Sequence, residues 1–278
     1  MQEISRKKFL FNFHFLPSST CNLLEVSNLS KVISKFQPDI LINCAAYTNV
    51  DLAEAENKIA YSLNAESVKD ITQICKELDC FLIHFSTDYV FDGEKREPYE
   101  EHDRCLPVNV YGQSKLLGEK YIIESDIPSL IIRTSWLFSH KENNFLYKIL
   151  SMLIRQSEIK IISNQVGTPT NCNDLSCFVL NQLEKIYDEI NFPTVMHFSG
   201  KDACSWFDFG YTIAENAKKN GLIKEFNLVA VESKDTSQVA ERPLYSALSV
   251  HRIEEAFGIC LPSWKDSLLN TINKVNFN

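Results

Sequence analysis

FLIHFSTDYVFDG, Phe81 to Gly93, is the stretch whose reading decides the fold. FLIHFS, Phe81 to Ser86, is an almost continuous apolar run of strand length, the pattern of a strand covered on both faces in a parallel sheet. Two similar runs flank it: PDILINCAA, Pro38 to Ala46, and SLIIRTSW, Ser129 to Trp136. A long helical pattern from about Asn57 to Leu78 separates the first two runs. After the turn at Asp92 and Gly93, a helix containing Tyr111 separates the second and third. Strand, helix, strand in this order, joined by right-handed crossovers, predicts an α/β fold built on a doubly wound parallel sheet. In such sheets ligands bind beyond the carboxyl ends of the strands. The residues expected there are Ala45, Ala46 and Tyr47; Ser86, Thr87 and Asp88; and Ser135 and Trp136.

The flanks fill in the rest. Phe9 to Leu16, FLFNFHFL, reads as a further strand, and Asn28 to Phe36 has helical spacing. Beyond Phe145 the pattern predicts helices over Phe145 to Arg155, Asp174 to Ile190, Trp206 to Lys219, Arg252 to Phe257 and Ser263 to Lys274. Strands are expected at Ile159 to Ser163 and Val195 to Ser199. There is no internal repeat and no low-complexity linker. The expected division is a sheet domain over residues 1–145 and a smaller α/β substrate lobe over 146–278, with segments that return to the sheet.

Composition excludes several classes. The chain has 278 residues, 45% hydrophobic and 23% charged, the balance of a folded protein with a substantial core. Its net charge of −8 and the lack of a Lys/Arg stripe argue against nucleic acid as a partner. No apolar run approaches the roughly 18 residues of a membrane span. The nine cysteines are scattered, with no C-x-x-C pair, which supports neither a zinc site nor a disulfide framework. Most are expected to be small buried hydrophobes in a reducing compartment, with the cytoplasm as the default.

YGQSK, Tyr111 to Lys115, lies in the predicted helix PVNVYGQSKLLGEKYI. Residues four apart share a helix face, so the Tyr111 phenol and the Lys115 side chain are expected to point into one cleft. A phenol of pKa about 10 is a poor proton-transfer group near neutrality, and a nearby ammonium would favour the phenolate. Alone, Y-x-x-x-K more often marks an ordinary surface helix, and Ser86 and Thr87 alone would be turn hydroxyls. Together they resemble a ketone-reducing site: hydroxyls facing a developing alkoxide, a phenol to move the proton and a lysine to tune it.

The segments NCAAYTNVDLAEAE, HFSTDYVFDG, PVNVYGQSKLLGEKY, IIRTSWLF followed by NNF, SNQVGTPT, SWFDF and ERPLYSAL stand in the order and spacing seen in dTDP-4-dehydrorhamnose reductases. These are extended members of the short-chain dehydrogenase/reductase superfamily, with a Rossmann-like sheet, and the resemblance runs from about residue 24 to the C-terminus. STDYVFDG, RTSW and GTPT separate this group from epimerases and dehydratases that share only Y-x-x-x-K. The resemblance implies reduction of the 4-keto group of dTDP-4-dehydro-L-rhamnose to dTDP-L-rhamnose with NADPH or NADH. By that resemblance Tyr111 is the proton donor, Lys115 its partner and a holder of the nicotinamide ribose, and Thr87 the hydroxyl on the reacting oxygen. Asp88 and Trp136 resemble sugar contacts. Ala45, Ala46 and Tyr47 resemble the segment along the cofactor, and Glu25 and Val26 the pair near the adenine. Arg242 and Pro243 resemble an element near the substrate. The resemblance associates some members with magnesium, but the sequence shows no compelling metal-ligand cluster, and a homodimer is left open.

One element of the family pattern is missing. A dinucleotide sheet begins with a strand, a glycine loop and a helix whose N-terminus holds the pyrophosphate, yet the first glycine here is Gly93 and there are only eight in all. The expectation is that the first strand and glycine loop are absent and that cofactor affinity is weakened. The alternatives are an inactive relative and a non-catalytic regulatory subunit resembling the β subunit of methionine adenosyltransferase.

Overall fold

A computed structural model describes residues 1, 11–141, 144–156 and 158–275. Helix α1 (Val26–Phe36) leads into strand β1 (Ile40–Asn43); α2 (Val50–Ala55), α3 (Asn57–Tyr61) and α4 (Ser67–Leu78) lead into β2 (Phe81–Thr87). Helix α5 (Val110–Ser125) leads into β3 (Ser129–Thr134). The second half adds β4 (Leu137–Phe138), α6 (Phe145–Arg155), β5 (Ile159–Ile162), β6 (Val166–Gly167), β7 (Thr170–Asn171), α7 (Cys172–Asn181) and α8 (Leu183–Glu189). It ends with β8 (Pro193–His197), β9 (Cys204–Ser205), α9 (Trp206–Lys219), β10 (Leu228–Val231), α10 (His251–Phe257) and α11 (Trp264–Ile272).

Strands β1, β2, β3 and β8 form one parallel sheet in that order, so the three apolar runs stand side by side and β8 comes back from the second half. Successive residues of β2 serve opposite faces. Phe81 and Ile83 pack with Leu130 and Ile132 against Phe178, Val179 and Ile186 of α7 and α8 and Ile253 and Phe257 of α10. Leu82 and Ile131 face the other way, onto Leu29 and Ile33 of α1, Val68 and Ile71 of α4 and Ile122 of α5. Each such fully buried aliphatic contributes about 1.5–3 kcal/mol, which is why the runs read as continuously apolar. A separate cluster that includes Phe138, Leu146, Ile161, Phe209 and Trp264 packs the second half of the chain.

Several expectations change. Phe9 and Leu10 lie outside the described residues, and Phe11–Leu16 pairs with no strand among them. The alternation was informative about burial only: Phe11 and Phe13 pack partly buried against the sheet, but a strand also needs a hydrogen-bonded neighbour. The helix expected over Asn57 to Leu78 is interrupted by a π-helical turn, Ser62–Glu66. The helix expected over Asp174 to Ile190 breaks at Gln182, whose φ of −101° and ψ of 9° leave the helical region. The run from Pro38 to Ala46 is strand only over Ile40–Asn43, and the rest is a loop beyond the sheet. All nine cysteines are free, but only Cys21, Cys75, Cys80 and Cys204 are buried, while Cys44 and Cys260 are exposed.

Candidate active site

The site is built where β1 and β2 end and α5 begins. Asn109 caps α5: its Oδ1 accepts from Gly112 N at 2.8 Å, and its Nδ2 donates to Glu241 O at 2.8 Å, tying the helix start to a segment 132 residues away. Two glycines let this helix approach closely. A Cβ on Gly112 would lie 2.1 Å from Tyr89 O, and one on Gly118 would lie 2.2 Å from Asn64 O. The helix is thereby pressed against the strand-end turn on one side and the π turn on the other. Tyr111 and Lys115 consequently face the carboxyl end of β2.

At that end Thr87 and Asp88 are buried and coupled. Thr87 Oγ1 donates to Asp88 Oδ1 at 3.1 Å and accepts from Tyr89 N at 3.2 Å, and Ser246 Oγ donates to Asp88 Oδ2 at 2.6 Å. Burial pushes the Asp88 carboxyl up to about 7, against the pull of Ser246 and Thr87. The Thr87 hydroxyl beside the Tyr111 phenol favours its ionised form, but burial outweighs that and pushes it up to about 12. Its ring meets Tyr89 edge to face, with centroids 5.9 Å apart.

Lys115 differs from the sequence expectation. Its side chain is 2% exposed, and its Nζ reaches Phe85 O at 2.6 Å and His84 Nε2 at 3.1 Å. It is not among the groups that shift the Tyr111 phenol, so the expected lowering of that phenol by Lys115 is not found. A buried amine takes the carbonyl nearest to it; sharing a helix face with Tyr111 does not by itself pair them. Burial brings Lys115 down to about 8, with Glu119 pulling the other way.

The loop after β1 is held by side chains that the motif reading did not single out. Ala45 N donates to Asn43 Oδ1 at 3.0 Å. Asn64, on the π turn and 1% exposed, accepts from Tyr47 N at 2.8 Å and donates to Tyr47 O at 3.0 Å and to Ser114 Oγ at 2.9 Å. The Tyr47 hydroxyl donates to Glu56 at 2.6 Å. Asn64 had one signal in the sequence, an amide inside an otherwise amphipathic helical stretch; Ser246 had only its place in ERPLYSAL.

The remaining residues are more dispersed. Trp136 follows β3 with φ of +44° and stacks on Trp206 at 3.5 Å and 6°, so one face of its indole is already covered. Arg242 grips Asp51 through two bonds, 3.0 and 2.9 Å, and the same carboxylate accepts from Val239 N and Ala240 N. Glu25 and Val26 are exposed at the start of α1, where Glu25 accepts from Asn22 Nδ2 at 3.1 Å; no bond joins them to the Tyr111 group. Thus Thr87, Asp88, Tyr111 and Lys115 converge, Ala45–Tyr47 border them through Asn43 and Asn64, and Glu25 and Val26 stand apart.

The buried Ser86 hydroxyl at the end of β2 has no hydrogen-bond partner among the described residues. Among the described residues no group of three His, Cys, Asp or Glu side chains is placed to hold a metal. Nor is any described helix long and apolar enough to cross a membrane.

A family model described as the RmlD substrate binding domain matches residues 4–277. The chain belongs to the RmlD family. Among RmlD relatives, the dTDP-4-dehydrorhamnose reductase of Aggregatibacter actinomycetemcomitans is 34% identical over 253 residues, which is 89% of this chain and 86% of that protein. The reductase of the same name from Escherichia coli strain K12 is 33% identical over 89% of this chain and 83% of its own length. The crystal structure of the Bacillus anthracis reductase in complex with NADP is similar with a TM-score of 0.89 and 28% identity, covering 98% of this chain and 94% of that one. The RmlD assignment agrees with the parallel sheet.

Proposed function

We propose that the chain reduces the 4-keto group of dTDP-4-dehydro-L-rhamnose to dTDP-L-rhamnose with NADPH or NADH. The observation that carries this reading is the Thr87–Asp88–Tyr111 group at the end of β2, with Lys115 one helical turn away. Bound reduced nicotinamide would supply the hydride to C4 of the sugar. Tyr111 donates the proton to the keto oxygen, and Thr87 holds that oxygen and the phenol in line. A phenol held near 12 remains protonated at neutral pH, the state a proton donor requires. Lys115 holds the nicotinamide ribose. Asp88, fixed by Ser246, and Trp136 orient the sugar, and Ala45, Ala46 and Tyr47 flank the cofactor with Glu25 and Val26 towards its adenine. We place this activity in the cytoplasm, in a homodimer that sedimentation would reveal as twice the chain mass.

The test follows NAD(P)H absorbance with enzymatically generated dTDP-4-dehydro-L-rhamnose. Substrate-dependent oxidation that disappears with Tyr111→Phe is expected. No oxidation above the enzyme-free rate, by a folded protein saturated with cofactor, would remove the reductase reading.

A further inference from the structure

Away from the candidate active site, a thiol, an amine and a carboxylate meet where the chain after β8 lies against the chain between α10 and α11. Lys201 Nζ donates to Cys260 Sγ at 3.0 Å and stands 3.3 Å from Glu254 Oε1. The backbones fix this meeting. Lys201 N donates to Pro262 O at 3.0 Å and Trp264 N to Lys201 O at 3.3 Å, so the two segments run side by side as a short parallel bridge. On the other side, Gly258 ends α10 with φ of +62°, and Glu254 then holds the exit from the helix. Its backbone O accepts from Ile259 N at 3.1 Å, and its Oε1 accepts from Leu261 N at 2.7 Å. One carboxylate oxygen thus serves both the backbone beside the thiol and the amine that faces it.

This arrangement sets Cys260 apart from the other cysteines. Cys260 and Cys44 are the exposed thiols, within reach of a dissolved oxidant, and among the described residues only Cys260 has a lysine bonded to its sulfur. The other contact of that sulfur, with Leu261 O, is 3.9 Å long and leaves it open to attack. In the reduced protein Cys260 and Glu254 together raise Lys201 above the ordinary lysine value, which keeps the cation at the sulfur. We propose that Cys260 and Lys201 form a peroxide-responsive modification site that closes into a reversible sulfenamide cross-link.

In the first step the Cys260 sulfur attacks one oxygen of hydrogen peroxide. An S–O bond forms and the O–O bond breaks; the sulfur is oxidised by two electrons to the sulfenic acid, and the other oxygen leaves as water with the thiol proton. In the second step the Lys201 nitrogen attacks that sulfur. An N–S bond forms and the S–O bond breaks; the hydroxyl leaves as water with one proton of the amine, and the extra proton of the ammonium passes to solvent. The flexible four-carbon stem of Lys201 lets its nitrogen close the 3.0 Å gap. A thiol reductant reverses the link: its thiolate attacks the sulfur and releases the amine, and a second thiol then frees Cys260. The link joins positions 59 apart and ties the loop after β8 to the chain entering α11.

Mass spectrometry of the full-length protein, treated with hydrogen peroxide and digested without reductant, reads the link directly. The expected result is a joined pair of peptides carrying Lys201 and Cys260, two hydrogen masses below their sum and parted by dithiothreitol. Lys201→Arg keeps a cation beside the thiol but has no primary amine, so it should give sulfinic acid at Cys260 and no joined pair. Cys260→Ser should also give no joined pair while Cys44 is oxidised as in the wild type. Wild-type protein in which Cys44 is oxidised while Cys260 stays a thiol, or runs on to the sulfinic acid unlinked, would overturn the proposal. So would a joined pair that survives Lys201→Arg. None of these readouts involves cofactor or keto sugar, so loss of the reductase reading would leave this one standing.

Discussion

At the scale of single residues, burial favours the neutral form of both Tyr111 and Asp88. Tyr111→Phe removes the proposed proton donor and should lower kcat by about 10²–10⁴-fold with little change in KM, a split that steady-state kinetics would show. Asp88 should reveal its burial in stability. Unfolded, its carboxyl ionises near about 3.9, and folded near about 7. The stability associated with the neutral carboxyl is therefore complete below about pH 4 and is lost as pH rises to about 7. Asp88→Asn keeps an acceptor for Ser246 without the charge. Its melting temperature relative to wild type should rise across that window and level off above it. Tyr111, Lys115 and Thr87 were legible in the sequence because motif and position coincide. Asn43, Asn64 and Ser246 were not, because their partners are set by tertiary approach: Asn64 meets Ser114 across 50 positions and Ser246 meets Asp88 across 158.

At the scale of elements, α5 depends on how closely its backbone can approach its neighbours. Gly112→Ala would place a methyl carbon 2.1 Å from a backbone oxygen of the strand-end turn, where no side chain can give way. It should push the helix start off Tyr89, cost more than about 1 kcal/mol in urea denaturation, and lower kcat by displacing Tyr111. The Asp51–Arg242 clasp joins the start of α2 to the segment that returns from the lobe. Arg242 holds the Asp51 carboxyl down to about 2, so its contribution is present above about pH 4 and is lost as pH falls towards 2. Because Asp51 is 40% exposed, Asp51→Ala should cost only about 1 kcal/mol at pH 7, and the difference from wild type should vanish in acid. The buried strands were legible from their apolar runs. The break at Ser62–Glu66 was not, since a π turn leaves the helical periodicity almost intact while adding one residue to the turn.

At the scale of the whole molecule, the sheet strands and the helix and loop packed on them are held by polar contacts as well as by apolar packing. Arg133 on β3 and Glu119 on α5 are 5% and 1% exposed and pair at 2.7 Å. Arg133 also reaches Glu101 O, and the Glu101 carboxylate accepts from His197 N on β8. Glu119→Gln leaves a buried guanidinium without its countercharge and should cost about 3–5 kcal/mol in urea denaturation, the largest loss among these substitutions. The stacked indoles offer a different kind of readout. The chain has three tryptophans, and two of them, Trp136 at the end of β3 and Trp206 at the head of α9, lie face to face at 3.5 Å. Indoles so close share their electronic excitation, so the pair should give a split circular dichroism band that a lone chromophore cannot produce. Since one ring follows β3 and the other begins α9, that band is an optical gauge of the separation between strand end and helix start, readable without a label.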